Sequence, residues 1–563
     1  MPAHSLTRVA LAVVLVALLA ADLLAATLPG GGDPAHAPAP RSRAERTNYE
    51  ETSLAADVDR FLAELASQSE LLRVGTFGHS EEKRPLRLAI LSSPPLATPR
   101  EARMLGRPIV LLQANIHGGE VEGKEATQHL LRRLAIGDLR PLLDQVVVLA
   151  IPNYNADGNE AIDLLNRSEQ YGPIGGVGRR ENAKGLDLNR DYMKLDSAEA
   201  RAFVSVLNEW DPHVVVDLHT TNGSHHGYHL TYSIPLSPAT APRLLDYERE
   251  TLMPALRSAM LSTHRFRTYY YGNFGESPLK PPPDEGRTWV AFDHRPRLGQ
   301  NYVGLRNRIA ILSEAYSYLD FRDRIAVTEA FVTEILRYVA EHDRTIVTLL
   351  GELDAETIRQ AQSDEPIALG VEVRPRPLPE KVPILVGKTT TKLNPRSGKE
   401  MTVVVPDAAE PVLMTDYGLF EASRAVPVAR AYAIPSDGRT AAAIERLQQH
   451  GVTVEELVEP WSGNTHEFLV ESIERASRPF QGRHGVTLHG KETTRDITLP
   501  AGTIIVRLAQ PLGRLVAYLL EPESDDGLIA WGLLDEALAA EQPAPIVKLM
   551  RPTGLVTRIK SPR

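Results

Sequence analysis

Short apolar runs punctuate the first part of the chain, and each ends in turn residues or in a polar residue. Ile109 to Leu112 follows the turn-like Gly106-Arg107-Pro108 and leads into Gln113-Ala114-Asn115-Ile116-His117-Gly118-Gly119-Glu120. Val146 to Ile151 is broken by Pro152-Asn153-Tyr154-Asn155-Ala156-Asp157-Gly158, Val214 to Leu218 ends in His219, and Ile309 to Leu312 delivers Glu314. Runs of this length bounded by turns read as buried strands, as does Leu86 to Leu91. Between them, helical spacing of apolar residues predicts helices over Ser53 to Leu72, Glu122 to Leu134, Ser197 to Trp210 and Asp323 to about Leu350. Strands alternating with helices predict an α/β domain with a mixed sheet, beginning near Tyr49.

Beyond about Gln362 the texture changes. Pro366, Pro375, Pro377, Pro379 and Pro383 punctuate short extended runs, interrupted by one βαβ-like unit from Arg430 to Val454. The expected organisation is 1–26 signal peptide, 27–47 linker, 48–362 catalytic domain and 363–563 strand-rich C-terminal domain. The signal reading rests on Arg8 ahead of the apolar run Val9 to Ala21, closed by small residues through Ala26. It implies an exported protein, periplasmic or secreted, with no membrane span after signal removal.

Composition narrows the chemistry. At 563 residues the chain exceeds one ordinary core, and 43% hydrophobic with 24% charged residues describes a globular protein. A net charge of −10 argues against a nucleic-acid partner. With 0 cysteines, any metal site must be built from histidines and carboxylates.

His117 and Glu120 stand three positions apart on a glycine-containing turn, close enough for both to reach one cation, and zinc accepts such a mixed set. Alone, His-x-x-Glu is common by chance. It gains weight because His219 and Glu314 share its place at strand ends, which face the ligand crevice of open α/β sheets. Two histidines and a glutamate leave a coordination position open, and a further glutamate can serve as base.

In this order, His117-Gly118-Gly119-Glu120, Gly185-Leu186-Asp187-Leu188-Asn189-Arg190, Asp217-Leu218-His219 and Leu312-Ser313-Glu314 resemble the motifs of the zinc metallocarboxypeptidases, over roughly Tyr49 to Leu350. The resemblance implies a mixed eight-stranded sheet with flanking helices and one zinc ion per chain on His117, Glu120 and His219. It implies zinc-dependent removal of C-terminal residues from peptides, a zinc-bound water being activated by Glu314 as general base. It further implies Asn189 and Arg190 on the substrate's terminal carboxylate, Arg180 rather than Arg179 on the oxyanion, and Tyr302 as the substrate-capping tyrosine. Asp187 either orients His117 from behind or is simply a satisfied loop carboxylate. Asp191 departs from the family's asparagine and is expected to bring a negative charge near the carboxylate pocket. The side-chain pocket falls within Pro281 to Gln300, where nothing aligns.

Two other functions fit the same residues: an amidohydrolase or deacylase acting on small acyl-amino acids or cell-wall peptides, and a non-catalytic zinc-containing binding protein. His225, His226 and His229 read as a polar loop, Tyr269 to Tyr271 as packing, Asp525-Asp526-Gly527 as a turn, and Glu122 and Glu125 as a solvated helix face.

Overall fold

The computed structural model describes residues 38–280 and 286–561, so the expected signal peptide, most of the linker and Pro281-Pro282-Pro283 lie outside the described residues. The described residues from Arg41 onward form one compact unit. Order begins ahead of Tyr49: Ser42 caps a short helix, Arg43–Arg46, in a reciprocal box with Glu45, and Ala44 is buried.

The centre is an eight-stranded sheet in the order β1-β2-β4-β3-β5-β10-β6-β7. Its strands are β1 (Leu72–His79), β2 (Pro85–Leu91), β3 (Ile109–Ala114), β4 (Val147–Ile151), β5 (Val214–Thr221), β6 (Leu230–Ser233), β7 (Thr268–Tyr270) and β10 (Ile309–Tyr316). β4, β3, β5 and β10 run parallel, whereas β2 is antiparallel to both its neighbours and β6 is antiparallel to β10. The parallel strands begin as unbroken apolar runs because both faces are covered, and turn polar only toward their ends. Along β3, Ile109 and Leu111 enter one apolar cluster with helix Ala198–Trp210, and Val110 and Leu112 enter another with helices Glu122–Ile136 and Phe321–Glu341. Side chains alternate across a strand, so one continuous run serves two layers.

The expected long helix after Asp323 is two helices, Phe321–Glu341 and Asp343–Gln362, separated at His342 by non-helical backbone (φ −113°, ψ 25°). The apolar spacing continues through Ile346, Leu350 and Leu353, so the pattern does not register a one-residue break.

β8 (Asn273–Gly275) and β9 (Thr288–Val290) lie beside the main sheet. The later region supplies β11 (Ala368–Arg376), β12 (Val382–Leu393), β13 (Glu400–Met414), β14 (Asp416–Tyr417), β15 (Leu419–Pro427), β16 (Ala431–Ile434), β17 (Glu455–Leu457), β18 (Trp461–Arg475), β19 (Val486–Leu499), β20 (Ile504–Arg507), β21 (Pro543–Leu549) and β22 (Thr557–Ile559). β11 pairs with β15, β12 pairs with β13 as a hairpin, and β14 extends the small sheet with β9 and β8. The other strands form a seven-stranded sheet, β19-β18-β21-β16-β20-β17-β22. Within it β16 and β17 both pair antiparallel with β20, so they run parallel to one another across helix Ala441–Gln449, a crossover with one strand inserted. The apolar cluster on the Leu111 face runs on into Tyr432, Val470, Ile504 and Ile546 of this second sheet.

Candidate metal centre

Strand β3 ends in Asn115, whose φ of +63° turns the chain out of the sheet and which asparagine tolerates better than most residues. Its amide donates to Asn153 Oδ1 at 2.9 Å and Asn159 Oδ1 at 3.1 Å, which fixes the turn. Side chains on the next two residues after His117 are excluded. A Cβ on Gly118 would lie 2.4 Å from the Gly158 carbonyl carbon, and one on Gly119 would lie 2.6 Å from the Gly178 carbonyl oxygen. The His-Gly-Gly-Glu spacing therefore follows from close backbone packing as well as from ligand reach.

Parallel register places His219 of β5 opposite Glu314 of β10. With the β3 loop, this brings His117, Glu120 and His219 together, with one donor atom from each lying within 4.8 Å of the others. His117 Nδ1 is 2.8 Å from Glu120 Oε1, and His219 Nδ1 is 3.0 Å from Glu120 Oε2. The far nitrogens meet carboxylates: Asp187 Oδ1 lies 3.1 Å from His117 Nε2, and Asp217 Oδ2 lies 2.8 Å from His219 Nε2. Both rings thus turn Nδ1 toward Glu120 and carry an acidic group behind, the arrangement that orients histidine ligands and raises their basicity. This buried donor set, two imidazoles and one carboxylate, fits a zinc ion with an open position. Asp217 was legible only as the start of Asp-Leu-His; two residues before His219 on a strand, it shares that residue's face.

The residues line a cavity of about 140 Å³ together with Arg167, Arg180, Asn189, Arg190, Tyr271, Phe292, Leu298, Gln300 and Glu314. Burial pushes the Glu314 carboxyl up to about 8; His219 opposes the shift and Glu120 reinforces it. Burial also acts on Asp187, but His117 and Arg180 outweigh it and hold this carboxyl far below the usual range. Arg180 reaches Asp187 Oδ2 through two nitrogens, at 2.8 and 3.0 Å, and its third lies 3.3 Å from His117 Nδ1. Arg179 instead donates to the Asn182 carbonyl. Asn189 is held by the Gly299 amide at 2.9 Å, and the Arg190 guanidinium stacks over Phe292 while donating to the Asn189 carbonyl.

Several expectations change. Tyr302 does not reach the cavity: it is 0% exposed and its hydroxyl lies 2.8 Å from His450 Nδ1. The tyrosine on the cavity wall is Tyr271, one residue past β7. Asp191 adds no charge to the pocket, because it is buried facing Lys194 Nζ at 2.5 Å and the amide and hydroxyl of Ser197. Glu122 and Glu125 are not solvated. Glu122 faces Arg324, and Glu125 accepts from Thr52 and Ser53. His226 is packed against Tyr316 and Trp289 rather than lining a polar loop, whereas Asp525-Asp526-Gly527 is a turn as expected, with Asp526 buried against Arg297 and Trp531.

Arg167 had no sequence signal. Its guanidinium lies 2.8 Å from Glu120 Oε1 and donates to the Thr220 carbonyl at 2.8 Å. It comes from an irregular segment whose path no periodicity describes.

Residues 58–286 match the family model described as zinc carboxypeptidase, peptidase M14. The chain therefore contains a zinc carboxypeptidase domain. It is 23% identical over 444 residues to carboxypeptidase 2 of Trichophyton rubrum, covering 76% of this chain and 74% of that protein. It is 32% identical over 149 residues to human carboxypeptidase Z, covering 25% of this chain and 22% of that protein. Among solved structures, a metallo-carboxypeptidase from Burkholderia cenocepacia aligns over 50% of this chain and 68% of its own, at 19% identity and a TM-score of 0.37.

Proposed function

We propose that this protein removes C-terminal residues from peptides, with His117, Glu120 and His219 holding one zinc ion. The observation that carries the reading is the convergence, in one cavity, of this donor set with Glu314 and with Asn189 and Arg190. When bound, zinc supplies a Lewis acid that polarises the scissile carbonyl and acidifies water. Arg190, half-buried beside Asn189, receives the substrate's terminal carboxylate, since a guanidinium offers paired donors to two oxygens. Arg180, at the mouth of the donor set, stabilises charge that develops on the carbonyl oxygen. Glu314 accepts the proton of the attacking water and hands it to the leaving amine nitrogen; its raised affinity for protons suits both transfers. Tyr271, on the cavity wall, caps the substrate.

Export rests on the Arg8 to Ala26 pattern. Among the described residues no helix is long and apolar enough to cross a membrane.

The reading is tested by assaying peptides with free and amidated C-termini. Cleavage should require the free carboxylate, and Glu314→Gln should lower kcat by about 10²–10⁴ while keeping zinc. Equal cleavage of amidated peptides, action on N-acyl amino acids alone, or an unimpaired Glu314→Gln enzyme would each overturn it.

A further inference from the structure

Arg167 belongs to a stretch of turns and bends between Ala161 and Arg179, with little secondary structure of its own to hold it. Its backbone is gripped from outside by the tip of the β12–β13 hairpin. Arg396 donates to the carbonyls of Asn166 at 2.9 Å, Arg167 at 2.5 Å and Gln170 at 3.0 Å. Asn394 donates to the Ser168 carbonyl at 2.8 Å and accepts from the Arg396 amide at 2.9 Å. The shaft leading to this tip is exposed from Lys388 to Leu393, yet Asn394 is 1% and Arg396 7% exposed. All the side-chain hydrogen bonds of Arg396 go to backbone carbonyls, and burial, then the charges of Arg324 and Arg167, push its pKa down to about 10. Burying a cation among dipoles alone is unfavourable, and closing a surface hairpin does not require it.

On its other side the gripped segment touches the metal donors. Arg167 lies against Glu120 Oε1, its Nε donates to Gln170 Oε1 at 2.7 Å, and Gln170 Nε2 reaches the Gly119 carbonyl at 3.3 Å. Hairpin tip, segment 166–170 and metal-binding carboxylate form one continuous hydrogen-bonded path. We propose that the β12–β13 hairpin is a strap that completes the metal site, with Asn394 and Arg396 as positioning residues that hold Arg167 against Glu120. The proposal rests on the zinc reading above. A carboxylate already oriented from behind loses less freedom on binding the ion, and outer partners of this kind are typically worth about 10–100-fold in metal affinity.

The test is the rate at which zinc passes from the full-length protein to a chromogenic chelator, together with the visible spectrum of the cobalt-substituted form, which reports ligand geometry. Arg167→Met and Arg396→Ala should each speed zinc release about 10–100-fold and alter the cobalt spectrum. The milder Asn394→Ala should move both in the same direction, and melting of the metal-free variants controls for folding. Because both arginines act through one contact, the double variant should release zinc no faster than Arg167→Met alone. If wild type takes up no zinc, the metal reading falls and the strap with it. If wild type holds zinc while Arg396→Ala and Asn394→Ala release it at the wild-type rate, or the two arginine effects add in full, the strap alone is overturned.

Discussion

Tyr271 and Tyr302 show how much a single side chain's surroundings decide. Tyr302 is the tyrosine nearest to where the resemblance expects a capping group ahead of Glu314, but it sits in the short helix Gly299–Leu305, every residue of which is buried. Its hydroxyl supports His450, whereas Tyr271 lies on the cavity wall, with Asn273 Nδ2 3.4 Å from its hydroxyl. Tyr271→Phe should lower kcat/KM about tenfold and leave zinc content and melting unchanged, as expected for a group that touches only substrate. Tyr302→Phe should do the reverse, leaving kcat/KM unchanged and lowering unfolding free energy by about 1–3 kcal/mol, because His450 Nδ1 is left buried without its partner. Steady-state kinetics and denaturant unfolding on the two variants check both halves; loss of turnover in Tyr302→Phe would return the capping role to it. The same contrast explains what is legible at this scale. His117, Glu120, His219 and Glu314 sit at strand ends, where local sequence fixes position in space. Arg167 and Tyr271 enter from segments without periodicity, so nothing in their spacing announces where they arrive.

At the scale of elements, helix Glu122–Ile136 is where pattern reading fails for a physical reason. Glu122, Lys124 and Glu125 look like a solvated face, and apolar content alone gives no reason to bury them. All three are 0% exposed: segment 42–54 folds across Lys124 and Glu125, and Arg324 meets Glu122. Glu125 accepts from Thr52 Oγ1 at 2.9 Å, the Ser53 amide at 2.7 Å and Ser53 Oγ at 2.9 Å, while Lys124 reaches the Ser53 carbonyl at 2.5 Å and Asn159 Oδ1. This helix starts immediately after Glu120, so the N-terminal segment braces the element that follows the metal donors. Glu125→Ala removes the acceptor of these three donors and of Gln128 Nε2, and takes away one of the anions near Lys124. It should cost about 3 kcal/mol of unfolding free energy, measured by urea denaturation, and a change below about 0.5 kcal/mol would show that the segment contributes no such bracing. The strands, by contrast, were readable, since an unbroken apolar run has few places to go except between two layers.

For the whole molecule, the change in texture near Gln362 is visible in the sequence, but the seam that joins the two regions is not, because beside the shared apolar cluster its contacts come from isolated polar residues. His450, just past helix Ala441–Gln449, is buried with Nδ1 on the Tyr302 hydroxyl and Nε2 3.1 Å from the Met193 carbonyl, while Arg306 donates to its own carbonyl at 3.1 Å. The hydroxyl donates to one nitrogen and the other donates to a carbonyl, so the ring fits as a neutral imidazole. Burial, followed by the positive charges of Arg306 and Arg446, pushes it down to about 3, against the pull of the Met193 carbonyl. In the unfolded chain the same ring titrates near its ordinary value of 6.5. Between these values the unfolded state binds the extra proton, so stability is present above about 6.5 and is lost as pH falls toward 3, by about 1.4 kcal/mol per pH unit for the group. His226, buried against Tyr316 and Trp289 and also pushed down to about 3, adds a similar slope elsewhere and therefore persists in any seam variant. His450→Gln, which can still accept from Tyr302 and donate to Met193, should be less stable than wild type at neutral pH yet lose stability more slowly on acidification. Urea unfolding between pH 6.5 and 5 should show its slope reduced by about 1 kcal/mol per unit, since the unfolded ring is only half protonated at the upper end. A slope equal to wild type would mean that His450 is already protonated in the folded protein, and that the seam is held by charge rather than by a neutral ring.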